Sequence, residues 1–340
     1  MAEPVLSVCL ITYNHAKYIR KAIEGVLMQK VNFSWELIIA DDFSTDGTRD
    51  IISEYKKKFP NFIKLILQEK NVGPAKNWFD LINAPKSKYI AYFEGDDYWT
   101  DPYKLQKQVD YMESHPECSL CFHAVEISEN NKKTGRVIRW SNSDKVLDNN
   151  KMFGIGSYSP TVSLLFRKRI IDNIPDWVVN APVGDIPLKL LLSQHGSVFY
   201  INEVMAVRRV GTAGSWSRQL SSYEFRKKLY LKMIKMLEEF NKYTIFKYSD
   251  EVVELQLINE MKGSKFLLFH LPTVLKIINN HSYQKYVAKL SLKNKLILYL
   301  KCFLINVQAQ IMTWRVCWAI KKIISYKKSD YEPRELGKDR

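Results

Sequence analysis

Apolar runs of strand length alternate with stretches of helical spacing through the first 115 residues. Val5–Thr12 is almost wholly apolar, which suits a parallel strand covered on both faces. Residues 17–29 follow as a helix with Ile19, Ile23, Val26 and Leu27 on one face. Trp35–Ala40 reads as a second strand and 47–58 as a second helix. Phe62–Leu67 and 75–83 form a third such pair, and Tyr89–Phe93 is a fourth strand. Asp101-Pro102 then marks a helix start that runs to about Ser114. This β-α alternation predicts a parallel, doubly wound α/β sheet.

Further along, 119–127 and 161–166 have strand character, separated by a polar loop with Asn149, Asn150, Gly154 and Gly156. Asp185 opens a helix that ends at a glycine cap, Gly196. Ser197–Ile201 and Val204–Val207 read as short strands, and Arg208–Ser217 as a glycine-rich basic loop. From about residue 220 the pattern is helical: Tyr223–Phe240, Asp250–Phe269 and Leu292–Ile324. The expected organisation is an α/β domain over 1–219 and a helical, basic region over 220–340.

The net charge of +15 is concentrated in that second region, where residues 221–340 hold 23 Lys/Arg against 11 Asp/Glu. Within it, residues 261–328 carry 13 basic side chains and no carboxylate, interleaved with Tyr299, Phe303, Trp314 and Trp318. Its longest uncharged stretch, Cys302–Trp314, is too short to span a bilayer. Aromatics beside lysines suit a helix lying on an anionic membrane surface, and the alternative is a helix packed on the catalytic domain. Nucleic acid is not expected, because no binding module accompanies the charge. Five scattered cysteines suit reduced thiols in a cytosolic setting, and Cys118-Ser-Leu-Cys121 lacks a second pair to complete a zinc site. No cleavable leader pattern opens the chain. The expected location is cytoplasmic, peripheral at the inner face of the plasma membrane.

Three of the four strands end in polar clusters: Thr12-Tyr13-Asn14, Asp41-Asp42 and Asp96-Asp97. Ligands of open α/β sheets bind at such strand ends. Two adjacent carboxylates delivered by a buried strand suit a hard divalent cation, Mg²⁺ or Mn²⁺, although Gly-Asp-Asp is also good chemistry for a solvated turn. Arg208-Arg209 suits a phosphate ligand, against the plainer reading of a solvated charge pair. Asp185 suits either a structural helix start or a general base. Neither a Gly-x-Gly-x-x-Gly turn nor a Walker A loop follows the first strand, which argues against dinucleotide oxidoreductases and P-loop enzymes.

Taken as an ordered set, these clusters resemble the family 2 glycosyltransferases with their nucleotide-sugar-binding GT-A fold. Val8–Asn14 resembles that family's first strand, and Ile39–Thr48 its Asp-Asp-Gly-Ser-Thr-Asp motif. Asn71-Val-Gly73 with Asn77 matches a third block, and Glu94–Trp99 resembles the metal-binding Asp-x-Asp region. Gly184-Asp185-Ile-Pro-Leu stands where the family has its base-bearing Gly-Asp-Trp-Pro-Leu. The resemblance covers about 5–217 and implies site roles. Thr12, Tyr13 and Asn14 would lie against the base and ribose, and Asp42 would accept from the base. Asn71, Gly73, Arg209 and Trp216 would contribute to the nucleotide-sugar site, Asp96 would touch the ribose or the metal, and Asp97 would ligate the metal. Asp185 would deprotonate an acceptor hydroxyl. Phe43 for glycine, Ile186 for tryptophan and Gly211 for histidine depart from the family pattern.

The expected activity is metal-dependent, inverting transfer of a sugar from a nucleotide-sugar, UDP-linked first among donors, to a hydroxyl of a glycan or lipid-linked acceptor. Surface polysaccharide assembly is the expected setting. Two other readings stand beside it. One is a nucleotidyltransferase, disfavoured by Tyr13-Asn14-His15-Ala16 where a phosphate loop would lie. The other is a membrane-bound scaffold without activity, disfavoured by the intact carboxylates.

Overall fold

A computed structural model describes residues 3–129, 132–147, 159–212, 222–249 and, beyond these, 251, 252, 255, 256 and 259. Contacts divide the chain into two compact units, Met1–Val252 and Val253–Arg340, and the first holds nearly all described residues.

Four strands, β1 (Leu6–Thr12), β2 (Trp35–Asp41), β3 (Ile63–Leu67) and β4 (Tyr89–Glu94), pair in parallel in the order β3-β2-β1-β4. The helices between them are α1 (Ile19–Leu27), α2 (Thr48–Lys58) and α3 (Pro74–Asn83), as the periodicity predicts to within two residues. Leu6, Val8 and Leu10 of β1 and Leu37 and Ile39 of β2 are fully buried. They join one core with Ile19, Ile23 and Val26 of α1. Burial on both faces is why these strands are continuously apolar.

The second half of the sheet is mixed. β5 (Tyr98–Trp99) and α4 (Lys104–Ser114) lead into β6 (Cys118–Glu129), β7 (Lys132–Ile138) and β8 (Lys145–Leu147). β9 (Leu164–Arg167) lies antiparallel between β4 and β6, preceded by a single 3-10 turn at Thr161–Ser163 where the apolar pattern predicts strand. A short α5 (Asp176–Val179) and α6 (Asp185–Gln194) precede β10 (Ser197–Val210), which pairs parallel to β6 and antiparallel to β5.

Two expectations need correction here. The segments 197–201 and 204–207 are one strand, and it continues through Arg208 and Arg209 instead of opening into a loop. Pairing of Arg208, Arg209 and Val210 with Ile127, Ser128 and Glu129 carries it on, and register shifts at Ile201–Ala206 absorb the polar Asn202-Glu203 interruption. Gly196 does not end α6 as a left-handed cap. A Cβ there would lie 2.2 Å from the Glu117 carbonyl, so close backbone approach requires the glycine.

The helix α7 (Tyr223–Tyr243) packs within the first unit, with Phe240 5.3 Å and Tyr243 5.6 Å from the Trp177 ring by centroids. Ser222 caps its start by accepting from the Phe225 amide.

Candidate active site

The loops leaving β1 and β2 are stitched into one rim. The Asp42 amide donates to the Thr12 carbonyl at 3.1 Å and the Gly95 amide to Ile11 at 2.8 Å, so all three polar strand ends meet. Asn14 sits at φ +55°, in the region where asparagine is tolerated. Its amide donates to Ser44 Oγ at 2.8 Å and its side-chain oxygen accepts from the Thr45 amide at 2.9 Å. Asp46 accepts from the Ala16 amide and from Thr48, whose hydroxyl in turn accepts from the His15 amide. Asp41, fully buried, is held by the Ser44 amide and hydroxyl and by Arg49 at 2.5 Å. These polar groups therefore fix loop geometry, while Tyr13 projects from the rim, 44% exposed.

Asp42 reaches the next loop. Its two carboxylate oxygens accept from the Val72 and Gly73 amides at 2.7 and 3.0 Å. Burial raises its pKa, and those two bonds oppose the rise. Gly73 adopts φ +87°, which lets the chain turn its amide onto Asp42 before Pro74 opens α3. Asn71 is exposed beside it, and Asn77 is buried, donating to the Ala40 carbonyl at 3.2 Å.

At the end of β4 the acidic turn is crowded. A Cβ on Gly95 would lie 2.9 Å from both Thr12 Oγ1 and Ile19 Cδ1, so any larger residue would have to displace those side chains. Glu94 accepts from the Thr161 hydroxyl. Burial pushes its carboxyl up to about 7, and the charges of Asp96 and Asp185 add to the rise. Asp97 is buried and accepts from the Arg209 amide at 2.7 Å. Burial first, then Asp96 and Glu94, raise its pKa well above the usual range. Asp96 accepts from Thr212 Oγ1 at 3.0 Å, and its carbonyl accepts from the Arg209 guanidinium. That guanidinium lies over the rings of Tyr98 (4.5 Å) and Tyr18 (5.1 Å). Arg209 thus braces the turn, and the neighbouring Arg208, exposed, supplies the positive field felt by Glu94, Asp97 and Asp185.

Asp185 lies in the first turn of α6 and pairs with Lys189, one turn on, at 2.9 Å. Burial works against its charge, but the Lys189 ammonium wins and holds the carboxyl below its ordinary value. Lys189 is itself buried and also donates to the Ser159 carbonyl at 3.2 Å. The Trp78 ring of α3 covers Gly184, since a Cβ there would meet it at 3.4 Å. Gly211, where the family pattern has histidine, sits at φ +74°, a conformation that favours glycine.

The structure thus brings Thr12, Asp42, Gly73, Asp96, Asp97 and Arg209 to one edge of the sheet, with Asp185 within electrostatic reach through Glu94. Trp216 and 261–328 lie outside the described residues. Sequence reasoning gave no role to Lys189, Thr161, Thr212 or His15, whose imidazole lies 3.2 Å from Thr12 Oγ1 and whose pKa burial lowers. The four-residue spacing of Asp185 and Lys189 is the one signal that could have exposed a partner. Among the described residues no group of three or more His, Cys, Asp or Glu side chains is placed to hold a metal ion, so a divalent cation at Asp96 and Asp97 would need substrate phosphates to complete its shell. Cys118 and Cys121 are buried, and burial pushes the Cys118 thiol up to about 11. Among the described residues no helix is long and apolar enough to cross a membrane.

Comparison with known proteins follows the same residues. Positions 7–174 match the family model described as glycosyl transferase family 2. An uncharacterised Mycobacterium tuberculosis protein is 37% identical over 232 residues, 66% of this chain and 63% of that protein. This chain therefore spans under two thirds of that relative's length. A Bacillus subtilis protein named for teichuronic acid biosynthesis, the glycosyltransferase TuaG, is 36% identical over 120 residues, 35% of this chain and 46% of its own. The crystal structure of Staphylococcus aureus TarS residues 1–349 with UDP-GlcNAc superposes with a TM-score of 0.62 at 16% identity, covering 89% of this chain and 88% of that one. That likeness is one of fold, the GT-A fold; the chain's similarity to glycosyl transferase family 2 is carried by positions 7–174 and the strand-end motifs within them.

Proposed function

We propose that this protein transfers a sugar from a nucleotide-sugar to a hydroxyl of a glycan or lipid-linked acceptor, with inversion at the anomeric carbon, in surface polysaccharide assembly. The observation that carries the reading is the meeting of Asp42, Asp96 and Asp97 at one sheet edge beside an ionised, lysine-paired Asp185. UDP-linked donors come first, since TarS was solved with UDP-GlcNAc. Thr12, Tyr13, Asn14, Asp42, Asn71 and Gly73 would line the base and ribose side, with residues 1–219 forming the donor-binding domain. Asp97 and Asp96 would hold Mn²⁺ or Mg²⁺, which would supply charge neutralisation on the diphosphate. Arg208 faces the same charges and suits the leaving group, with Trp216 in the segment beyond. Residues 261–328 would rest on an anionic membrane surface.

Asp185 is the acceptor's base. Lys189 holds one carboxylate oxygen at 2.9 Å and keeps the group charged at neutral pH, so it takes the proton from the attacking hydroxyl. A single base without a nucleophilic partner accounts for one displacement and hence inversion. The test is Asp185→Asn, read as sugar transferred to membrane-extract acceptors and as UDP affinity. The proposal expects transfer to fall by 10²-fold or more, of the order a general base supplies, with UDP affinity nearly unchanged. Transfer at a near wild-type rate would remove Asp185 from the role.

A further inference from the structure

A basic cavity lies at the end of the sheet opposite the acidic cluster. The chain before β4, at Pro85–Lys88, and the chain after β9, at Arg167–Asp172, enclose about 420 Å³. β9 runs antiparallel to β4, with Arg167 paired to Tyr89, so both segments sit at the amino end of β4. Glu94 closes the other end, a strand's length of roughly 16 Å away.

Two three-residue runs, Lys86-Ser-Lys88 and Arg167-Lys-Arg169, are locked side by side, since the Lys168 amide donates to the Lys88 carbonyl at 3.0 Å. Five cations thereby share one cavity with Asp172 in its wall. Lys168 pairs with Asp172 at 2.5 Å and Lys88 with Glu113 at 2.6 Å. Lys86 and Arg169 are exposed and have no ion pair among the described residues. Arg167 forms the buried wall, 6% exposed, and its guanidinium donates only to neutral oxygens. These are the carbonyls of Cys118, Met112 and His115 and the hydroxyl of Tyr89. Its hydrogen bonds thus go to neutral groups, and its field is shared with Glu113, the carboxylate that Lys88 already engages.

A solvated lysine patch is the plain alternative, but it needs neither a concave shape nor a buried guanidinium. We infer that this cavity is an anion site for a phosphate group, separate from the donor site and set by Lys86 and Arg169 over the Arg167 wall. The source is either a lipid headgroup or a soluble phosphorylated ligand. Arginine and lysine around a concavity suit phosphate oxygens, and the site binds by charge and hydrogen bonds without chemistry on the ligand.

The experiment titrates the full chain with inorganic phosphate at constant ionic strength, comparing wild type with Lys86→Glu/Arg169→Glu and, as a milder pair, Lys86→Ala/Arg169→Ala. Circular dichroism and Tm confirm the fold. The inference expects wild type to bind phosphate, the alanine pair to bind several-fold more weakly, and the reversed pair at least 10-fold more weakly. Co-sedimentation with phosphatidylglycerol vesicles, against phosphatidylcholine, separates the sources. Loss in the variants assigns a lipid headgroup, and unchanged sedimentation with lost phosphate binding assigns a soluble ligand. Equal phosphate affinity in all three proteins, or none in wild type, overturns the inference. Donor-site phosphate binding would survive both variants, so failure here leaves the transferase reading intact.

Discussion

At the scale of single residues, the departures from the family pattern carry the information. Phe43 sits at φ +63°, where the family has glycine, and its ring, 40% exposed, is covered on one side by Arg49 at 4.9 Å. A non-glycine residue in that region costs about 1–2 kcal/mol, more than one exposed cation–π contact returns. Phe43→Gly is therefore expected to raise unfolding free energy by up to about 1 kcal/mol in urea titrations. A loss of stability instead would mean that the ring's contacts outweigh the strain. Which residues stand at the sheet edge was legible from the sequence, because strands that end in acid show it directly. What Asn14 and Arg209 do there was not. Asn14 is spent on Ser44 and Thr45, thirty residues away, and Arg209 on the Asp96 carbonyl and two tyrosine rings. Those partners are set by tertiary closure, which no local spacing encodes.

At the scale of elements, α6 shows how a helix tunes its own first residue. Lys189 faces Asp185 one turn on, and replacing it with methionine removes the charge at similar volume. The Asp185 carboxyl, now held down by the ammonium, would rise, and the acidic limb of the kcat/KM profile should move to higher pH. An unmoved limb would mean that another group sets it. The elements themselves were read closely where the apolar period was clean, as in β1 to β4 and their helices. Reading was poorer in the second half. Asn202-Glu203 interrupts β10 in sequence, but the strand survives because pairing with β6 resumes after a register shift. Gly196 looked like a cap, whereas the Glu117 carbonyl decides it.

At the scale of the whole molecule, the sheet separates two electrostatic ends, carboxylates at the carboxyl end of β4 and cations at its start. Its core also tolerates an ionisable group, Lys104, which is fully buried, donates to Gln108 at 2.7 Å and lies over the Trp99 ring. Burial lowers its pKa from 10.5 to about 7. The unfolded chain then binds one more proton than the folded one between those values, so this group makes stability rise with pH across that window. Lys104→Met should flatten that rise, giving its largest relative stabilisation below pH 7 and little near pH 10 in urea unfolding. A parallel pH dependence in both proteins would show that Lys104 is charged in the fold.

The central claim is that the acidic end binds a nucleoside diphosphate through a divalent cation on Asp97. Calorimetric titration with UDP, GDP and dTDP, each with and without Mn²⁺, tests it directly in the wild type and in Asp97→Asn. The account predicts Mn²⁺-dependent binding of one nucleotide, UDP first, weakened at least 10-fold in Asp97→Asn. No binding of any of the three, or equal Mn²⁺-dependent binding in both proteins, would contradict it.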